Sequence, residues 1–196
     1  SGGIGGAVYA THVNGIFAER FNFSISIILL AMVVLGGMGN VWGVIIGALI
    51  MAWINATGLP AIADDSGLCV DALNGDPGIF SARWSGKHGD DKANLEKVLA
   101  QLKDVPDSKR SAYFICVAAL YLPNGDTHCE EGRFHGWILH HPAGENGFGY
   151  DPIFRPDGLS ISSAQMSAEE KDAMSHRGKA LRAIAPHVMR ALNSLG

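Results

Sequence analysis

From residue 21 to residue 63 the chain carries no charged side chain, and residues 1–63 together hold one acid, Glu19, and one base, Arg20. Every other charge of the 196-residue chain lies further on. A chain divided this way reads as two pieces suited to different surroundings, and its averages describe neither. Inside the uncharged stretch, FNFSISIILLAMVVL (21–35) and VWGVIIGALIMAWI (41–54) flank the glycine-rich GGMGN. Each arm is shorter than the roughly 20 residues of a bilayer span. Neither shows the polar face of a soluble core helix. The two predict a broken or paired apolar helical segment of membrane type, in which Gly36, Gly37, Gly39, Gly43 and Gly47 allow close helix packing. A buried soluble hairpin is the alternative. The opening SGGIGG has no basic region, which argues against a secretory signal.

The net charge of −4 and the lack of any Lys/Arg run exclude a duplex nucleic-acid binder of ordinary type. A small anionic substrate stays compatible, because a few local cations can serve it. Cys69, Cys116 and Cys129 are odd in number, widely spaced and form no CxxC. They read as reduced thiols in a cytosolic setting, with Cys116 in the core.

From Thr57 the composition becomes that of a soluble α/β domain. LPAIA (59–63) predicts a short buried strand that delivers Asp64, Asp65 and Ser66 at its end. Residues 71–78 are loop chemistry. DDKANLEKVLAQL (90–102) predicts a helix with acids in its first turn and Leu95, Val98, Leu99 and Leu102 on one stripe. SAYFICVAALYL (111–122) predicts a strand, PNGD (123–126) a hairpin turn, and residues 127–134 the return strand, with 136–141 as an extension of the sheet. A glycine-rich loop covers 144–150. Ser167 to Glu170 has the capping-box pattern. A final helix over 175–192 carries Leu181, Ile184, Ala185, Val188 and Leu192 on one face, with a kink expected at Pro186.

Three clusters carry chemistry. Asp64-Asp65-Ser66 can hold a hard cation and orient a water, or simply make a turn or a helix cap. Gly147-Phe148-Gly149-Tyr150-Asp151-Pro152 lets the backbone approach a flat ligand with Phe148 as a stacking ring, or is a tight loop with core aromatics. Lys171 and Ser175-His176-Arg177-Gly178 place cations near a helix start, or form a solvated helix face.

Taken together, TGLPAIADDSGLCVDALNGDPGIFSARWSG (57–86), GFGYDPIFRPDG (147–158) and AEEKDAMSHRGKAL (168–181) resemble the inosine/xanthosine triphosphate pyrophosphatases in order and spacing. The resemblance implies an elongated mixed β-sheet with flanking helices, and cytoplasmic hydrolysis of ITP, dITP and XTP to the monophosphate and pyrophosphate with Mg²⁺. It implies that Asp65 is general base and metal ligand, with Asp64 in support and as a second candidate ligand. It implies that Ser66, Phe148, Gly149, Tyr150, Asp151, Lys171, His176 and Arg177 bind the substrate, and that the protein is a homodimer.

Residues 1–55 resemble a fragment of a branched-chain amino-acid ABC transporter permease, through GAVYA (6–10) and VVLGGMGNVWGVIIGA (33–48). The expected organisation is therefore a permease-like segment over 1–55 and a pyrophosphatase-like domain over 56–196, with membrane association through 21–54. The pyrophosphatase family also begins with a strand and a Thr/Ser-x-Asn-x-x-Lys phosphate loop and later supplies a metal-binding Glu. Residues 1–56 contain no Lys, and nothing around Glu19 matches. The junction near 54–58 then reads as a fusion or misjoined frame, and negligible pyrophosphatase activity is expected of this polypeptide by itself. The alternatives are a transporter fragment and a non-catalytic nucleotide-binding remnant.

Overall fold

The structure is a computed structural model and describes residues 56–194. The apolar segment expected over 21–54 lies outside the described residues. Among those described, no helix is long and apolar enough to cross a membrane. The chain divides between Leu59 and Pro60 into two units, and the following account concerns the second.

Its frame is a four-stranded sheet in the order β1 (Ala61–Val70), β2 (Ser111–Tyr121), β3 (Thr127–Ile138), β4 (Phe154–Pro156). All three pairings are antiparallel, so the mixed sheet expected from the resemblance is not found among the described residues. Hairpin connection explains β2 and β3: Leu122 donates to the Asp126 carbonyl at 2.9 Å, and Gly125 turns with φ 94°. The return strand runs to Ile138, past the expected residue 134, because Arg133 to Trp137 still face Ile115 to Ser111.

The expectation for β1 needs correction. The strand does not end before the carboxylates. It starts at Ala61 and passes through Asp64 and Asp65 to Val70, because β2 supplies a ladder partner for every residue, Tyr121 opposite Ala61 through Ala112 opposite Val70. Nor is its first part buried. Ile62 is 50% exposed, and Leu59 ahead of the strand is 44% exposed. Burial begins at Gly67, and Leu68 and Val70 enter the core.

One sheet face is covered. Ala112, Phe114, Cys116, Ala118 and Leu120 alternate inward along β2, with Phe134 and Ile138 beside them on β3. Helix α1 (Asp91–Gln101), capped by Asp90, brings Leu95 and Val98 into the core with Leu68 and Phe154. Two helices follow the loop, α2 (Ala168–Met174) and α3 (His176–Asn193). Ala180 and Ile184 of α3 pack on Cys116, Ala118 and Leu120. The helix runs through Pro186 without interruption. The approach of α3 to β3 needs Gly132, where a Cβ would stand 2.1 Å from the His176 carbonyl oxygen. Arg110 is buried and donates to the carbonyls of Leu102, Ile138 and Leu139, so one guanidinium joins the α1 end to the β3 end. Cys69, Cys116 and Cys129 are free thiols.

Candidate functional site

The site is built around the point where α2 stops and α3 starts. Ser175 does both. Its N–H donates to the Lys171 carbonyl at 2.8 Å, closing α2, and its hydroxyl accepts from Gly178 N–H at 3.0 Å, capping α3. A side chain at Gly178 would stand 2.2 Å from the Asp172 carbonyl oxygen, so the junction is as tight as glycine permits. This junction fixes His176 and Arg177.

His176 is 8% exposed and stacks on Phe114, centroids 4.9 Å apart and planes 13° from parallel. Burial, and then the charges of Arg177 and Lys171, lower its pKa to about 4. The ring is therefore neutral at pH 7, with one N–H to give and one lone pair to offer. Its Nδ1 is buried and has no hydrogen-bond partner among the described residues. A buried polar atom of that kind costs free energy unless a ligand or water meets it.

The loop of Phe148 is held from three directions. The buried Asp151 carboxylate accepts from the Phe148 N–H at 2.8 Å and pairs with Lys171 Nζ. Asp91, in the first turn of α1, accepts from Gly149 N–H at 3.0 Å. The Tyr150 hydroxyl, its pKa raised by burial, donates to the Ser81 carbonyl at 2.8 Å. Gly147 has φ 76°, and any Cβ there would collide with Asp151. With its backbone held, the Phe148 ring is nonetheless 64% exposed. Lys171 Nζ lies 5.0 Å and Arg177 Cζ 5.9 Å from its centroid.

Two cavities meet at this ring. A larger one of about 650 Å³ is lined by Phe148, Lys171, His176 and Arg177 together with Asn146 and Ser163. That volume lies in the range of small-molecule sites. A smaller one of about 140 Å³ lies toward the sheet, between Ser66, Ser81, Asp91, Tyr150, Asp151 and His176. Phe148, Lys171 and His176 border both. Among the described residues, the Ser163 hydroxyl is buried without a partner, and that of Ser66 lies beside the Cys116 thiol.

Of the residues singled out in the sequence, the structure brings together Ser66, Phe148, Gly149, Tyr150, Asp151, Lys171, His176 and Arg177 around these cavities. Asp65 lines neither. Strand alternation sends Asp64 and Ser66 to the covered sheet face and Asp65 away from it. The Asp65 carboxylate bends to accept the Ser66 N–H at 2.9 Å. Asp64 Oδ2 is engaged instead by Arg177 Nε at 2.7 Å and by the Cys116 thiol at 3.7 Å. Sequence reasoning missed Asn146, Ser163, Ser81 and the tie from Asp91 to Gly149. Asp91 was legible only as a first-turn acid, and nothing in its spacing points to a loop 58 residues away.

For a divalent cation, the described residues offer little. No group of three His, Cys, Asp or Glu side chains placed to hold a metal occurs among them. Asp64 and Asp65 diverge, which leaves Asp65 as the accessible carboxylate of the pair. One carboxylate fits Mg²⁺ only where phosphates and waters complete the shell.

Comparisons with known proteins place the chain among its relatives. The sequence model of the Ham1 family matches residues 45–187. The dITP/XTP pyrophosphatase of Streptomyces coelicolor is 59% identical over 141 residues, 72% of this chain and 70% of that protein. Its counterpart in Corynebacterium efficiens is 56% identical over 149 residues, covering 72% of each. Among solved structures, the nucleoside-triphosphatase (dITP/XTP pyrophosphatase) of Mycobacterium abscessus aligns with a TM-score of 0.61 at 55% identity, over 72% of this chain and 73% of that one. A HAM1 protein from Coxiella burnetii aligns with a TM-score of 0.65 at 43% identity, over 74% and 76%. A second sequence model, for the permease component of branched-chain amino-acid transport, matches residues 1–73 and so overlaps the first over 45–73. With most of its length matched by the family's model and its anchored Phe148 loop set beside the start of α3, the chain belongs to the Ham1 family.

Proposed function

We propose that this protein hydrolyses deaminated purine nucleoside triphosphates, ITP, dITP and XTP, to the monophosphate and pyrophosphate. The observation that carries this reading is the meeting of Phe148, Lys171, His176 and Arg177 at one cavity, in a chain 59% identical to a dITP/XTP pyrophosphatase. Phe148 offers its face to the base. Arg177 is a donor only, and its Nη groups have no hydrogen-bond partner among the described residues. They suit the 6-oxo acceptor of hypoxanthine or xanthine and leave a mismatch with the 6-amino donor of adenine. Guanine carries the same 6-oxo group, so this contact separates the deaminated bases from adenine alone. Neutral His176 can donate or accept, and so holds a base without choosing between the two. Lys171 and Asp151 hold the loop and border the base as they do so.

For the chemical step, the family resemblance assigns Asp65 to aim a water at the α–β linkage, from the opposite face of β1 to the cavities. Mg²⁺, bound through Asp65 and the phosphates, would neutralise charge on the leaving pyrophosphate. The reading further takes the protein to be a cytoplasmic homodimer in its enzymatic part. The test is pyrophosphate release from dITP, XTP and dATP by the purified chain with Mg²⁺. A preference for dITP and XTP over dATP supports the reading, and equal rates or a preference for dATP reject it.

The match of residues 1–73 to a transporter permease component favours a second reading, a fusion in which residues 1–55 associate with membrane. Fractionation of expressing cells decides it. Recovery in the supernatant without detergent rejects membrane association.

A further inference from the structure

The two adjacent carboxylates of β1 invite assignment to one metal, and their surroundings separate them. Asp64 faces α3, 31% exposed at the side chain, and a single oxygen, Oδ2, receives both Arg177 Nε at 2.7 Å and the Cys116 thiol at 3.7 Å. The thiol is fully buried, and burial pushes its pKa up, so it stays a donor to the carboxylate. Asp64 is thus supplied from both sides by hydrogen-bond donors. Arg177 is held through Nε alone, which fixes the plane of the guanidinium while leaving both Nη groups unpartnered among the described residues. Its Cζ stands 5.9 Å from the Phe148 centroid, on the rim of the larger cavity.

We propose that Asp64 is a positioning residue for base selectivity. It acts through Arg177, setting the guanidinium so that its free Nη donors face the 6-position of a base laid on Phe148, and it is not a ligand of the catalytic cation. The assignment rests on the function proposed above. It predicts that losing Asp64 lowers discrimination between 6-oxo and 6-amino purines while leaving the response to Mg²⁺ unchanged.

The test is calorimetric, on the full chain, with inosine monophosphate and adenosine monophosphate as probes, each with and without Mg²⁺. Wild type is expected to prefer the inosine nucleotide. Asp64→Ala is expected to lose roughly tenfold in affinity for it, with adenosine monophosphate changed less than about twofold. In an Arg177→Lys background, Asp64→Ala is expected to add nothing, since the residue acts through the guanidinium. Asp64→Asn, which keeps an acceptor oxygen, is expected to fall between, and thermal melting of each variant checks that it is folded. Three results overturn the assignment. Preference retained in Asp64→Ala removes Asp64 from selectivity. A shifted Mg²⁺ dependence makes it a metal ligand. Additive losses in the double variant show that it acts without Arg177. Equal affinity for both nucleotides in wild type rejects the proposed function, and this assignment with it.

Discussion

His176 enters α3 as a buried neutral imidazole, and that makes folding sensitive to acid. Its folded pKa is lowered to about 4, by burial first and then by Arg177 and Lys171, against about 6.5 in an unfolded chain. Between those values the unfolded chain binds the extra proton, so stability rises with pH across that window, by up to about 1.4 kcal/mol per unit from this one group. Above pH 6.5 the contribution is flat. The urea midpoint of wild type, measured from pH 4 to 7, is expected to climb more steeply than that of His176→Gln, and parallel curves would show that the imidazole is not the sensor. Gly132 supplies a second test at this scale. A methyl there would meet the His176 carbonyl at 2.1 Å and the Ala180 nitrogen at 2.7 Å, both backbone atoms that cannot swing aside. Gly132→Ala is expected to cost about 1–3 kcal/mol and to weaken nucleotide binding, since it lifts the first turn of α3. Asp151→Ala strips Lys171 and the Phe148 N–H of a common partner and is expected to cost about 3–5 kcal/mol, read as a drop in the denaturant midpoint.

At the scale of elements, the junction of α2 and α3 turns on Ser175. Removing its hydroxyl in Ser175→Ala frees the Gly178 N–H and is expected to cost about 1 kcal/mol, with binding weakened further because His176 and Arg177 occupy the first turn. Melting temperature and nucleotide affinity together check it. The same junction shows what a sequence can carry. The Ser167–Glu170 capping box and the Ser175 start were legible because caps use local side-chain chemistry, and the structure has both. Helix α1 and the β2–β3 hairpin were legible for the same reason, through periodicity and a turn motif. β1 was not. Two aspartates inside a strand contradict local preference, and only the ladder to β2 carries the strand through them. The anchors of the Phe148 loop were hidden too. Asp91 and Ser81 reach it across 58 and 69 residues, and no local pattern encodes such distances. The residues that gather at the two cavities carry recognisable motifs, whereas the different surroundings of Asp64 and Asp65 depend on which face of β1 each takes.

At the scale of the whole molecule, groups suited to holding a base outnumber groups suited to a triphosphate among the described residues. The described residues bring an exposed aromatic ring, Phe148, and a polar rim to one cavity, while Asp65 lines neither cavity. Residues 1–56 contribute no lysine to a triphosphate. Base recognition depends on shape and a few donors, which are assembled here. Phosphoryl chemistry depends on positioning and charge neutralisation along three phosphates. The two properties should therefore separate in this 196-residue polypeptide. Inosine nucleotides are expected to bind, measured by calorimetry. Pyrophosphate release from ITP with Mg²⁺ is expected to fall on the order of 10³-fold below the roughly 10 s⁻¹ of an ordinary enzyme. Turnover near the ordinary rate would mean that cationic groups other than an N-terminal lysine hold the phosphates. Among the described residues, Lys171 and Arg177 border the large cavity, and substituting each with Gln in that event would show which one carries the load.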